Sequence, residues 1–304
     1  MKTAVIIVTY NRIELLKECL ACALNQTRPF SHIIVVNNAS TDGTTEYLNG
    51  VSKEQESLVV LNQEENLGGA GGFYKGFEYA NAADYDWVLV IDDDAMIEPD
   101  YNEKLTDYGE DHPEVNALAG SVWTDNRMDF SHRRQLKSRL LLVEIPVKSD
   151  GIKDFQCECA TFCGLMIRGS VMRECGLPKR EYFIWYDDSE YCLRLLPYGG
   201  IRVLPQVRLN HRTVLAEEKA GVLARTNWRM YYGYRNRLDT ARVRFGFLSG
   251  LGVATEYAAF LVITAFELLV PSKREHARFN MHMISDALYD GWHARLGFNE
   301  KYHR

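Results

Sequence analysis

Four short apolar runs stand out along the first third of the chain: Ala4 to Val8, Ile33 to Val36, Leu58 to Leu61 and Trp87 to Ile91. Each is β-branched or apolar throughout and of strand length, the pattern of strands covered on both faces. Between the first two, Ile13, Leu15, Leu16, Cys19, Leu20 and Leu24 recur at helical spacing. Strands alternating with helices predict an α/β fold with right-handed parallel crossovers, in which ligands bind beyond the strands' carboxyl ends. All four runs end there in polar segments.

The first polar segment is Thr9-Tyr10-Asn11-Arg12, and the second runs from Asn37 and Asn38 through Ser40, Thr41 and Asp42 to Thr44. The second reads as a turn and helix start, because Ser, Thr and Asp satisfy free backbone donors. The third, Asn66-Leu67-Gly68-Gly69-Ala70-Gly71-Gly72-Phe73, admits two readings. It is either a flexible turn or a backbone that approaches an anion closely, with a helix beginning near Phe73. It has neither the spacing of a dinucleotide fingerprint nor the Gly-Lys of a phosphate loop.

The fourth segment is Asp92-Asp93-Asp94. Like charges this close repel unless a cation sits among them, and residues two apart on an extended segment point the same way. Asp92 and Asp94 could therefore face one divalent ion; a solvated acidic loop is the plain alternative.

In the second half, Glu158 to Ile167 reads as an apolar strand, followed by a helix after Arg168. Phe183-Ile184-Trp185-Tyr186 then runs into Asp187-Asp188, with helical spacing from Ser189 onward through Tyr191, Leu193, Leu195 and Leu196. The two acids suit a helix cap. They also suit a general base behind an aromatic wall. A strand from Ile201 to Leu204 precedes His211, a structural histidine or a metal ligand by its type alone.

Composition narrows the class. A formal net charge of −6 argues against nucleic acid as a partner. Seven cysteines, an odd number whose second cluster (Cys157, Cys159 and Cys163) lacks zinc-knuckle spacing, read as free thiols of a reducing compartment. The N-terminal apolar run is too short for a signal peptide and reads as the first strand.

Taken in order, Thr9–Arg12, Val36–Gly43, Asn66–Gly69 and Asp92–Asp94 resemble the family-2 glycosyltransferases. The resemblance implies a GT-A fold: a Rossmann-like, mostly parallel sheet flanked by helices, here with a C-terminal helical extension. It implies a catalytic domain over residues 1–225, with a nucleotide-sugar half (1–120) and an acceptor half (121–225), and a helical region over 226–304. Thr9, Tyr10, Arg12, Asn38, Asp42, Asn66, Gly68, Gly69, Asp92 and Asp93 inherit nucleotide contacts. Asp92, Asp94 and His211 inherit a divalent cation, Mn²⁺ or Mg²⁺. Asp188 inherits the role of base, Asp187 orients base or acceptor, Glu190 supports the helix start, and Trp185 and Tyr186 meet the acceptor.

The implied reaction is an inverting, metal-dependent sugar transfer from a nucleotide-sugar donor, UDP- or dTDP-linked, to a glycan or lipid-linked acceptor in cell-surface polysaccharide synthesis. Tyr234-Arg235-Asn236-Arg237 and the glycine-rich segment look like bacterial galactofuranosyltransferases, with rhamnosyltransferases sharing much of the pattern. Those arginines either pack on the core or grip a pyrophosphate. Phe245 to Val270 is the most apolar long stretch, interrupted by Glu256 and Glu267. A helix there packs on the catalytic domain, on another subunit of a homo-oligomer, or peripherally on the bilayer. The resemblance places the protein in the cytoplasm, at the inner face of the bacterial plasma membrane. Two other classes stay open: a nucleotidyltransferase, which would want glycines after the first strand, and a silent sugar-nucleotide-binding subunit.

Overall fold

All seven residues of β1 (Thr3–Thr9) are buried, and their alternation serves two layers. Val5 and Ile7 join a core with Leu16 and Leu20 of α1 (Ile13–Leu24), while Ile6 and Val8 face α3 (Gly68–Ala82). A strand with no polar face is what a central parallel position demands. The computed structural model describes residues 1–149, 151–212 and 227–303.

After β1 and α1 come β2 (His32–Asn37), α2 (Thr44–Val51), β3 (Leu58–Asn62), α3, β4 (Trp87–Asp92), β5 (Ala95–Ile97) and α4 (Tyr101–Asp111). There follow β6 (Ala117–Thr124), β7 (Arg127–Met128), β8 (Arg133–Ser138), β9 (Val143–Pro146), β10 (Phe155–Cys157), β11 (Cys159–Ala160) and β12 (Leu165–Arg168). The last elements are α5 (Gly169–Cys175), α6 (Asp187–Leu195), β13 (Ile201–His211), α7 (Arg229–Phe245), α8 (Phe247–Glu267) and α9 (Arg274–Trp292).

The large sheet is ordered β10-β13-β6-β12-β4-β1-β2-β3. Strands β4, β1, β2 and β3 are parallel, as the apolar runs predict. Strand β12 then reverses direction against β4, and β6 is antiparallel to β12. The register brings Thr9, Asn37 and Asp92 to one carboxyl edge, with Thr9 opposite Asn37 and Val8 opposite Asp92.

Three expectations are corrected. The helix expected near Phe73 begins at Gly68, so the glycines lie within α3 rather than in a loop before it. Two glycines of the helix serve packing: a Cβ on Gly72 would stand 2.5 Å from Val8 Cγ1, and one on Gly76 would strike Ile6 Cγ2. Close approach to β1 offsets the low helix propensity of glycine. Gly76→Ala should cost about 1–3 kcal/mol by overpacking, read as a lower urea midpoint. An unchanged midpoint would mean that α3 stands further from β1.

The strand expected over Glu158 to Ile167 is broken into β11 and β12. Between them Gly164 takes φ 86° and its carbonyl accepts from the Tyr101 hydroxyl at 2.8 Å. Finally, β13 does not stop at Leu204. It continues through an irregularity between Leu204 and Arg208 to His211 itself, and the bulge absorbs Pro205, which cannot donate to a ladder.

The chain forms two compact units. The first holds residues 1–135, 145–180 and, among the described residues, 188–212; the second holds 136–144, 181–187 and 227–303. The boundary expected at 225/226 lies outside the described residues. In the second unit α7, α8 and α9 pack on one another. Tyr231, Tyr232, Met283, Ala287 and Tyr302 form its core together with Phe183.

Candidate active site

The carboxyl edge of the parallel strands is built as a network around the three acids. Thr9, the last residue of β1, donates its hydroxyl to Asp93 Oδ2 at 2.7 Å. Arg12 reaches back from the start of α1 with Nη1 2.6 Å from Asp94 Oδ2 and Nη2 2.8 Å from Asp93 Oδ1. Asp93 and Asp94 are buried and Asp92 half-buried. One guanidinium therefore bridges two of the three carboxylates.

The alternation expected across Asp92 and Asp94 does not hold as stated. The strand ends at Asp92, and Asp93-Asp94 form a turn into β5. What brings Asp94 to a second ligand-type side chain is β13, whose final residue pairs with Ala95. His211 Nε2 lies 3.3 Å from Asp94 Oδ1. The His211 ring also meets His132 edge-on at 5.0 Å, and His132 is itself held by Thr161 at 2.7 Å.

These contacts set the proton affinities. Burial, with Asp94 and Asp93 beside it, pushes Asp92 up to about 7. Burial likewise lifts Asp93 to about 6, against Arg12 and the Thr9 hydrogen bond. For Asp94 burial also raises the affinity, but His211 and Arg12 outweigh it and hold the carboxyl below its usual range. His211 shows the mirror image: burial lowers it, yet Asp94 prevails and raises it.

Other residues expected at the nucleotide prove to be committed internally. Asn38 is buried; its amide donates to Asn66 Oδ1 at 2.8 Å and Gly68 O at 3.0 Å, and its oxygen accepts from Leu67 N. Asn66 Oδ1 also accepts from Gly68 N at 2.9 Å, so the pair shapes the entry to α3. Asp42 accepts from Ile13 N at 2.9 Å and from the Thr44 hydroxyl at 2.6 Å, linking the starts of α1 and α2. Burial works against the Asp42 carboxylate, but these hydrogen bonds prevail and lower its proton affinity. Tyr10 is exposed at the rim, and nothing stands within 4 Å of a Cβ built on Gly69.

In the same unit, Asp188 sits in the first turn of α6 with Arg134 Nη2 3.7 Å from its Oδ2; Arg134 also donates to the Ser189 hydroxyl at 3.1 Å. Glu190 is buried and pairs with Arg194 one turn on at 2.8 Å, an internal brace of the helix. Asp187 is the buried first residue of α6.

In the second unit, the segment before α6 is conformationally unusual. Phe183, Trp185 and Tyr186 all have positive φ, at 64°, 65° and 71°. For bulky side chains this costs about 1–3 kcal/mol each and persists only when the surroundings enforce it. The enforcing group is Asn236, whose amide donates to the carbonyls of Tyr182, Ile184 and Trp185 at 3.0, 3.1 and 2.8 Å. Arg235, buried, donates to Gly297 O at 2.7 Å and Tyr182 O at 3.1 Å. Arg237 pairs with Glu256 and donates to Leu141 O. The Tyr234–Arg237 element thus packs as a clamp within its unit. Trp185 remains 41% exposed, its ring resting on Gly233, where a Cβ would stand 3.0 Å from Cε3.

Arg134 and His132 were not singled out by the sequence, whereas Asn236 was named only as part of the Tyr234–Arg237 element. Asn236 had a signal, its place beside two arginines in an aromatic run. Arg134 and His132 had none, since both matter only through contacts with residues far along the chain.

The model of glycosyl transferase family 2 matches residues 4–173, more than half of the chain. The chain belongs to glycosyl transferase family 2. This family-2 chain is 30% identical over 203 residues to "Galactofuranosyltransferase GlfT1" of Mycolicibacterium smegmatis, a match covering 64% of this chain and 66% of that protein. It is 27% identical over 210 residues to "dTDP-rhamnosyl transferase RfbF" of Shigella flexneri, covering 68% and 67%. The chain thus spans about 66% of the length of the first of these relatives. Among solved structures, S. aureus TarS 1-349 superposes with a TM-score of 0.58 at 16% identity, covering 95% of this chain and 81% of that one. GalNAc-T7 with UDP, GalNAc and Mn²⁺ also gives 0.58, at 14% identity, covering 83% and 53%. The family-2 chain has the GT-A fold.

Proposed function

We propose that this protein is an inverting glycosyltransferase that moves a sugar, galactofuranose in the favoured reading, from a nucleoside-diphosphate donor to a hydroxyl of a glycan or lipid-linked acceptor. The observation that carries the reading is the division of acids within one unit. Asp92, Asp93 and Asp94 gather at the strand ends with Arg12 and His211, while Asp188 stands on a separate helix beside Arg134.

The fit of a divalent cation can be tested on the residues. His211 Nδ1 is buried without a hydrogen-bond partner, while its Nε2 faces Asp94 Oδ1 at 3.3 Å. Among the described residues no three His, Cys, Asp or Glu side chains converge as a ready cage. That is the donor set of Mg²⁺ or Mn²⁺ in phosphate chemistry, where one or two protein groups suffice and substrate phosphate and water complete the shell. Asp94 and His211, with Asp92 alongside, would hold it. When bound, such an ion supplies Lewis-acid stabilisation of a departing diphosphate.

The chain's own residues do the rest. Arg12 offers a fixed cation beside the leaving group's seat, and Thr9 keeps Asp93 oriented. Tyr10 at the rim suits the nucleoside base. Asp188, aligned by Arg134, takes the proton from the acceptor hydroxyl. The freed oxygen bonds to the anomeric carbon as the carbon–oxygen bond to the diphosphate breaks, and its electron pair leaves on the phosphate oxygen. Attack opposite the leaving group inverts the centre. Trp185 and Tyr186 are the proposed acceptor faces and Asp187 the orienting acid.

The similarity to the galactofuranosyltransferase GlfT1 supports UDP-galactofuranose. The similarity to RfbF supports dTDP-rhamnose as the second reading. Assaying product with each donor separates them: turnover with UDP-galactofuranose alone supports the first, and turnover with neither sinks both. Asp94→Ala should weaken metal-dependent UDP stabilisation by at least about tenfold in apparent affinity. Superimposable titrations of variant and wild type would place the cation elsewhere.

A further inference from the structure

Helix α8 meets the length and composition of a membrane-crossing segment, yet only 22% of its most apolar window is buried. Among its exposed positions from Phe247 to Phe266, Thr255 alone carries a polar side chain, and its hydroxyl donates back to Gly252 O at 2.7 Å. The mid-helix acid noticed in the sequence is turned away. Glu256 is held bidentately by Arg237, at 2.8 and 3.2 Å, so no charge interrupts the outer face.

Leu248, Leu251, Val262, Ile263, Phe266 and Leu269 are exposed along that face. Together with Phe247 and Phe260, they spread over well more than a third of the helix circumference at 100° per residue, wider than the two-position seam of a coiled coil. An exposed apolar surface of this extent marks an interaction site. Beside it, Phe260 and Ile263 open a cleft of about 210 Å³ against Met283 and Ile284 of α9, with Asn280 and Thr264 also in its lining.

Charge selects the occupant. Residues 227–303 hold 10 Lys and Arg against 7 Asp and Glu, a surplus of +3 in a chain of net −6. Arg242 and Arg244 lie just before α8, and Lys273, Arg274 and Arg278 lie just after it. Arg242 is paired with Asp239 and Lys273 with Glu267, and Glu275 stands beside Arg274, which leaves each end with a surplus of one positive charge. With both ends cationic, a second copy would set cation against cation in either a parallel or an antiparallel pairing. An anionic bilayer complements both ends and the apolar face at once.

We propose that α8 lies in the plane of an anionic membrane surface, its outer face immersed among the lipid chains and the flanking arginines and lysine on the headgroups. This goes beyond the catalytic reading and does not depend on it.

The test is co-sedimentation of the full chain with phosphatidylcholine vesicles, with and without phosphatidylglycerol. Binding is expected only with the anionic lipid and should weaken as salt rises. Ile263→Glu/Phe266→Glu changes two side chains that are 61% and 67% exposed, so the fold should survive, as circular dichroism can verify. It should lower vesicle affinity by about tenfold or more. Arg274→Glu/Arg278→Glu should remove the preference for anionic lipid. The idea is overturned if wild type stays in the supernatant with both vesicles, or if either variant binds as wild type does. It is equally overturned if sedimentation velocity shows a dimer that Ile263→Glu/Phe266→Glu dissociates while vesicles bind neither form.

Discussion

Asp188→Asn is expected to lose sugar transfer almost entirely, by about 10²–10⁴-fold in kcat, while its UDP-dependent thermal stabilisation stays that of wild type. The amide keeps the size of the carboxylate and one of its two acceptor oxygens but cannot take a proton. Asp188 stands apart from Asp92, Asp93 and Asp94 in its contacts, sharing Arg134 with Ser189 rather than Arg12 with the strand-end acids. Donor affinity and proton removal should therefore separate in the kinetics. A variant with normal turnover would remove Asp188 as the base. A variant that loses UDP binding and turnover together would show that the acid holds the donor instead.

Asn236→Ala is expected to have the second-largest effect, on both stability and rate. One amide group restrains three carbonyls in a segment where three aromatic residues occupy left-handed backbone. Removing it takes the amide donor from the Ile184 and Trp185 carbonyls, while Tyr182 O keeps Arg235, and releases the strained backbone, at a cost of about 2–4 kcal/mol. Relaxation of residues 183–187 would displace Trp185, Tyr186 and the entry to α6, and kcat should fall by roughly 10²-fold. Asn236→Asp makes the sharper comparison, because it keeps the shape but turns a carboxylate towards three carbonyl oxygens. Both variants should shift the denaturation midpoint and the turnover together, with UDP affinity unchanged. If stability falls while turnover holds, the unusual backbone is a matter of folding alone.

The parallel half of the sheet was legible because each strand is a continuous apolar run and each ends in polar residues at the same edge. The strand reversal at β12 was not, since a buried antiparallel strand such as Leu165–Arg168 reads like a buried parallel one. The start of α3 was not legible, because a run of glycines suits a loop as well as a tightly packed helix, and only the approach of Val8 to Gly72 and of Ile6 to Gly76 shows the helix packing. At the acids, residue types were legible and geometry was not. Alternation fails where Asp93 and Asp94 turn, and the partners of Asp94 come from residues 12 and 211, the second delivered by a strand that runs past a proline bulge. Periodicity carries no information about such distant pairs. The same holds for residues 181–187, whose backbone carbonyls are held by the Arg235 guanidinium and the Asn236 amide of α7 in the second unit.

The most direct test is a crystal structure of the full chain soaked with UDP and Mn²⁺. The expected result is a single metal ion touching Asp94 and His211 and sharing its shell with the diphosphate oxygens, with Arg12 alongside. Diphosphate density remote from Asp92 and Asp94, or a metal ion held by other residues, would contradict the account at its root.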